Sequence, residues 1–296
     1  MMKKCSVVFQ TIRVPFLFLT PVCVFLGVSI ALYNQATFDI FSLVLALIGA
    51  LFAHISVNTL NEYLDFKSGL DLNTLKTPFS GGSGALPANP DSSQSVLMVG
   101  MLSLLITVFV GSYFIFKFGT GLLPIGVLGV LIIVSYTNII NKNPYLCLIA
   151  PGFGFSLVVI GTQYVLIGKY LPITFIITLI PFFLINNLLL LNQYPDIEAD
   201  KKAGRYHFPI AFGVNKSTLM YTVFHLLSMI TILLLTYLKQ LPTLSLISLL
   251  PSALAFFTLS GANKHGADIG SHPKYLAANV IVTLLIPTLL GITLLV

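Results

Sequence analysis

Apolar segments of roughly twenty residues recur from one end of the chain to the other, separated by short polar stretches. Each is long enough, as a helix, to cross a hydrocarbon core of about 30 Å. The pattern predicts nine spans, at about 14–33, 38–60, 95–117, 120–141, 145–168, 171–194, 215–237, 243–262 and 274–296, with the tightest connections near Gly119 and Gly168. Lys3, Lys4 and Arg13 precede the first span without a small-residue cleavage site after it, so that span reads as a retained helix. The expected fold class is all-α, a polytopic membrane helix bundle of about nine transmembrane helices, as a single membrane domain over residues 1–296.

Composition narrows the picture further, because 56% hydrophobic and 8% charged residues are more apolar surface than a soluble domain can cover. The net charge of +6 does not indicate nucleic acid, since the basic residues are few and scattered among short loops. With nine spans, Lys3, Lys4, Arg13, Lys67, Lys76, Lys142, Lys201, Lys202, Arg205, Lys216, Lys264 and Lys274 share one side, and only Lys117, Lys169 and Lys239 fall opposite. That division predicts a cytoplasmic N-terminus in a multi-pass protein of the cell inner membrane. The acids divide more sharply still, with Asp39 alone on the far side, and they concentrate in the two longest loops. Acids have little influence on topology, so the clustering points to function. Cys5, Cys23 and Cys147 are odd in number, lack CxxC spacing and read as packing residues.

Those two loops, at about 61–94 and 192–214, each follow an apolar helix that ends in Asn and Asp. They form a weak internal repeat, which predicts two helix groups facing each other around a central cavity with the acidic motifs brought together. In the first motif, Asn58, Asn61, Glu62 and Asp65 share a helix face, followed by Gly69 and Asp71. In the second, Asn192, Asp196 and Asp200 recur every four residues, as a ladder along a helix. Oxygen ligands without His or Cys suit hard cations, and Mg²⁺ is usually held by a few carboxylates together with substrate phosphates. Either motif alone also reads as a solvated helix end; the pair points to a magnesium-diphosphate site. Lys67, Lys201, Lys202 and Arg205 are placed to neutralise diphosphate, or serve as topology signals. Thr77–Pro87 is rich in Gly and Ser, as an anion-cradling backbone or any flexible loop would be. His54, one turn before Asn58, and Asn187, before Asn192, are candidates to line the cavity.

These residues resemble the UbiA-type intramembrane prenyltransferases. Asn61-Glu62-Tyr63-Leu64-Asp65 with Gly69 and Asp71 is similar to that family's first aspartate-rich motif, and Asn192-Gln193-Tyr194-Pro195-Asp196 through Asp200 to its second. The D-x-x-x-G-x-D form and Ile160-Gly161-Thr162-Gln163-Tyr164 are most similar to the menaquinone branch, which prenylates dihydroxynaphthoate. The resemblance implies nine helices around a cavity capped by the motif loops, with a lateral opening for an isoprenoid tail. It implies Mg²⁺ and diphosphate at Asn61, Asp65, Asp71, Asn192, Asp196 and Asp200, and diphosphate contacts at Tyr136 and Lys142. It also implies an aromatic acceptor near His54, Asn58, Glu62 and Asn187, and Mg²⁺-assisted ionisation of an allylic polyprenyl diphosphate in which an electron-rich aromatic carbon captures the prenyl group. Glu62 stands where the family commonly has Asp, Arg205-Tyr206-His207 where it has Lys-Arg-Thr, and Phe155 where the menaquinone branch often has Glu. Prenyl transfer to a non-aromatic lipid precursor or prenyl cyclisation are the enzymatic alternatives. A cation-coupled transporter is the alternative of another class, disfavoured because few ionisable residues fall near mid-membrane.

Overall fold

The computed structural model describes residues 2–37, 39–72 and 76–296, with side chains from Ser6 onward. The side chains of Lys3, Lys4 and Cys5, and loop residues 73–75, lie outside the described residues. Every regular element among the described residues is helical. A short α1 (Met2–Thr11) precedes α2 (Val14–Tyr33), α3 (Ile40–Ser68), α4 (Pro90–Phe118), α5 (Thr120–Ser135), α6 (Pro144–Ile167) and α7 (Pro172–Asn192). Then come a short α8 (Ile197–Lys202), α9 (Phe208–Tyr237), α10 (Thr243–Ser271) and α11 (Pro273–Thr293). Eight of these are long and apolar enough to cross a membrane, and the expected fourth span is the shorter α5. Phe109, Phe116, Leu219 and Leu250 are exposed on the outside, as suits a protein whose solvent is lipid.

Three helix boundaries shape the site. Helix α3 runs on to Ser68, because nothing in its last two turns breaks a helix, and it stops where Gly69 takes the left-handed conformation at φ 80°. The whole first motif up to Asp65 is therefore helical. Helix α7 stops at Asn192, because Pro195 cannot continue it. Helix α9 is broken at Gly213 (φ 80°, ψ 166°), so its membrane-spanning part starts just after that residue, near the expected 215, and a short helical segment from Phe208, with Pro209 in its first turn and His207 Nδ1 accepting from the Ile210 N–H, precedes the break.

Leu26, Ile30, Val159, Leu184, Leu188 and Ile286, all buried, form the main core, in which α2, α6, α7 and α11 pack together. Asn187, Tyr221 and Asn279 tie α7, α9 and α11: Asn187 Nδ2 donates to the Tyr221 carbonyl at 2.8 Å and the Tyr221 hydroxyl to Asn279 Oδ1 at 3.1 Å. On the other side of α6 lies a cavity of about 670 Å³ lined by α2–α7 and the motif loops. Helices α9–α11 contribute no lining residue. The cavity is thus enclosed by α2–α7 rather than between two facing halves, because α9–α11 spend their apolar faces on the core. The two motif loops nonetheless meet across its mouth.

Candidate active site

The mouth is assembled from three segments. Helix α3 presents Asn58, Asn61 and Asp65 to the cavity, and His54 one turn deeper. Asn58 Nδ2 donates to the Ile12 carbonyl at 2.8 Å, and Asn61 Nδ2 to Thr137 Oγ1 at 3.1 Å, just beyond α5. His54 Nδ1 lies 2.9 Å from Thr20 Oγ1, and its ring meets Phe155 edge to face.

The second motif is not one helical ladder. Asn192 ends α7, Asp196 follows a turn through Pro195, and Asp200 belongs to α8, yet all three line the cavity. The chain after α8 then folds back: Arg205 N–H bonds the Asp200 carbonyl at 2.9 Å, and Tyr206 N–H the Asn141 carbonyl at 2.9 Å. This turn aims Arg205 at both motifs. Its Nη1 donates to Asp200 Oδ1 at 2.9 Å and its Nη2 to Asp65 Oδ1, while His207 Nε2 lies 3.0 Å from Asp200 Oδ2.

The Gly-rich loop closes the mouth, and Gly81, Gly82 and Gly84 all have positive φ there, as its tight path requires. The Gly81 N–H donates to Asp196 Oδ2 at 3.0 Å, while Ser83 N–H and Oγ donate to Glu62 Oε1 and Oε2, each at 2.7 Å. Glu62 also accepts Arg13 Nε at 2.8 Å and Nη2 at 2.6 Å. Fully buried and fully partnered, Glu62 is a clamp between the α1–α2 junction and the loop, not a cavity residue.

Helix geometry moves other candidates out of the cavity. Lys67 lies two residues past Asp65, about 200° around α3, and is exposed with Nζ 5.7 Å from the Tyr63 ring. Lys201, one position past Asp200, and Lys142, one past Asn141, are exposed on outer faces. Asn187 lies five residues before Asn192, about 140° around α7, and serves the inter-helix clamp. Tyr136 does line the cavity, and around its mouth so do Arg13, Asn141, Gln193 and His207, which were not among the candidates. Arg13 had registered only as a topology signal, and Gln193 carried a cue in its place beside Asn192.

Asp71 Oδ2, Asn192 Oδ1 and Asp196 Oδ1 are buried with no hydrogen-bond partner among the described residues. Burial pushes the Asp71 carboxyl up to about 7, with Glu62 and Asp65 adding to it. Burial and the nearby Asp200 push Asp196 up to about 7 against the Gly81 N–H. Buried, oxygen-only and short of positive charge, this donor set fits a hard cation such as Mg²⁺. Among the described residues no three His, Cys, Asp or Glu side chains are close enough to enclose an ion by themselves. The Arg205 guanidinium instead lies between Asp65 and Asp200.

Known proteins agree with this architecture. A 1,4-dihydroxy-2-naphthoate octaprenyltransferase of Bacillus subtilis (strain 168) is 30% identical over 198 residues, 64% of this chain; the match spans 60% of that relative's length. A UbiA homolog from Aeropyrum pernix K1 superposes with a TM-score of 0.72 at 14% identity, covering 94% of this chain and 97% of that one. A UbiA homolog from Archaeoglobus fulgidus, solved bound to GPP and Mg²⁺, superposes at 0.66 with 18% identity, covering 98% and 100%. The profile of the UbiA prenyltransferase family matches residues 20–268, so the chain, a multi-pass membrane protein, belongs to the UbiA prenyltransferase family.

Proposed function

We propose that the protein transfers a polyprenyl group from an allylic polyprenyl diphosphate to a hydroxylated aromatic acceptor, in a reaction dependent on Mg²⁺, with dihydroxynaphthoate the first acceptor to test. The observation that carries this reading is the set of partnerless buried oxygens from both motifs, gathered with Arg205 at the head of a large apolar cavity. Mg²⁺, when bound, neutralises diphosphate charge. Asn61, Asp65, Asp71, Asn192, Asp196 and Asp200 are the residues that would hold it.

Arg205, Arg13 and Tyr136 face the same space and stabilise the diphosphate as its bond to the allylic carbon breaks and it leaves with the electron pair. The apolar walls exclude water from the allylic cation. An aromatic carbon then supplies the electron pair of the new carbon–carbon bond and the ring regains aromaticity by releasing that carbon's substituent, a proton or, where it bears the carboxylate, carbon dioxide, so no protein nucleophile is needed. His54, held by Thr20 inside the cavity, is placed to orient an acceptor hydroxyl. The relative named for dihydroxynaphthoate prenylation supports that acceptor class. The twelve-to-three division of basic residues supports a cytoplasmic site.

The test is incubation of purified protein and Mg²⁺ with a panel of polyprenyl diphosphates and acceptors. Prenylated dihydroxynaphthoate, lost on chelation, is the expected product. Activity confined to a glycerol-phosphate acceptor, or indifferent to chelation, overturns the reading.

A further inference from the structure

Cys147 reads in the sequence as a packing residue, and part of its surface does pack, in a small apolar cluster with Ile140 and Ala150. Its sulfur has polar neighbours as well. Gln193 Nε2 donates to Sγ at 3.1 Å, and Sγ donates to Asn141 Oδ1 at 3.3 Å. One thiol, 2% exposed near the start of α6, thus joins the chain just after α7 to the connection between α5 and α6.

These bonds have a direction. A thiol carries one proton, so it donates to one amide and accepts from the other. An amide with no neighbour has two nearly equivalent orientations, a half-turn apart about its last bond. Two oxygens turned toward the sulfur would leave one of them without a hydrogen, and two NH₂ groups would leave the thiol proton without an acceptor, so the sulfur makes the two amides present opposite ends. Asn141 turns Nδ2 away from the sulfur and Gln193 turns Oε1 away from it, and neither atom has a protein partner among the described residues. Neither is sealed off from the cavity that both residues line. Asn141 is 6% exposed, and a buried donor left open is a place for a ligand atom.

The two open ends fall where the chemistry asks for them. The Asn141 N–H donates to the Tyr136 carbonyl at 3.0 Å and the Asn141 carbonyl accepts the Tyr206 N–H at 2.9 Å, which seats this residue between Tyr136 and the Arg205 turn, on the anion side of the mouth. Gln193 follows Asn192, and its carbonyl accepts the Asp196 N–H at 3.2 Å, which seats it beside the partnerless oxygens of the second motif, on the cation side. We propose that Cys147 is a positioning residue for this site: it holds Asn141 as a hydrogen-bond donor to the leaving diphosphate and Gln193 as an oxygen facing the cation and its waters. The assignment rests on the magnesium-diphosphate reading above.

The test is the affinity of full-length variants in detergent for the non-transferable geranyl thiolodiphosphate with Mg²⁺, read by calorimetry. In C147A each amide turns freely, so the competent pair of orientations falls to about one in four and affinity falls about fourfold. C147S, whose hydroxyl also carries one proton, stays within about twofold of wild type. C147V fills the void that alanine leaves and matches C147A, which keeps the test open where alanine prevents folding. In an N141A/Q193A background C147A costs nothing further, because the thiol acts only through those amides. A second readout needs no ligand: the Cys147 S–H stretch, identified by its absence in C147A, lies at a hydrogen-bonded frequency in wild type and rises in N141A. Wild-type affinity in C147A and C147V, an equal loss in C147S, a loss that persists without the two amides, or an S–H stretch unmoved by N141A overturns the assignment. Turnover with dihydroxynaphthoate is read in parallel: protein that shows this pattern of affinities but transfers no prenyl group supports the assignment while removing the proposed reaction.

Discussion

Asp71 and Asp196 each keep a buried oxygen without a partner among the described residues and a carboxyl pushed up to about 7 by burial, helped by neighbouring acids. A cation needs the ionised form, so protons compete with it. Mg²⁺ affinity measured with a non-transferable diphosphate should fall as pH drops below about 7, and a pH-independent affinity would remove these two acids from the ion site. Stability runs the other way. Between about pH 4, where an unfolded aspartate ionises, and about 7, the metal-free folded state holds protons that the unfolded chain has released. Its stability therefore declines as pH rises through that window, and Mg²⁺ with diphosphate abolishes the decline; thermal unfolding in detergent checks both. Arg205 occupies the space between Asp65 and Asp200. Arg205→Gln should strengthen Mg²⁺ binding without diphosphate while weakening diphosphate binding about tenfold, two opposed shifts that calorimetry separates from simple unfolding. The types of these residues were legible in the sequence, since a cation site in a membrane needs oxygen donors and a diphosphate needs Arg. Their pairing was not. Lys67 looked as well placed as Arg205 until the helix carried it to the opposite face.

At the scale of elements, the Gly-rich loop is bound to α3 through Glu62 and to the second motif through Asp196. Removing one partner of a buried ion pair leaves the other uncompensated, at a cost of about 3–5 kcal/mol. Glu62→Ala should therefore destabilise the protein by roughly that amount, by stranding Arg13, and should expose residues 76–84 to protease before global unfolding. Wild-type melting with a protected loop would show that the clamp carries no load. Glu62 read as a motif residue because it stands where the family has an acid; only the position of Arg13, forty-nine residues away, reveals its use. The long helices were legible because twenty apolar residues in lipid have one economical conformation. The break in the second motif was written in Pro195, but the regular Asn-x-x-x-Asp-x-x-x-Asp spacing concealed it.

Across the whole molecule, the described acids other than Asp39 and most basic residues lie at the end of the bundle that carries both motifs, while Lys117 and Asp39 pair at the other. If that end is cytoplasmic, Lys202→Cys in a background lacking the native cysteines stays unlabelled by an impermeant reagent until cells are opened, whereas Lys239→Cys labels at once; the reverse pattern inverts the topology. The enclosure of the cavity by α2–α7 was not legible, because the repeat that locates the two motifs says nothing about which helices fill the core. What joins the motifs is the Arg205 contact with Asp65, 140 residues away in sequence. Two acids that act on one diphosphate form a single unit, and the losses on removing members of a unit do not add. Asp65→Ala and Asp196→Ala should each reduce kcat by about two to three orders of magnitude, the scale of one strong electrostatic group. The double variant should lose far less than the product of the two. Turnover across a Mg²⁺ titration, with monodisperse elution as the check on folding, distinguishes the cases: multiplicative losses would place the acids at separate ion sites, as in a transporter, and near-wild-type turnover in either single variant would return the motifs to solvated helix ends.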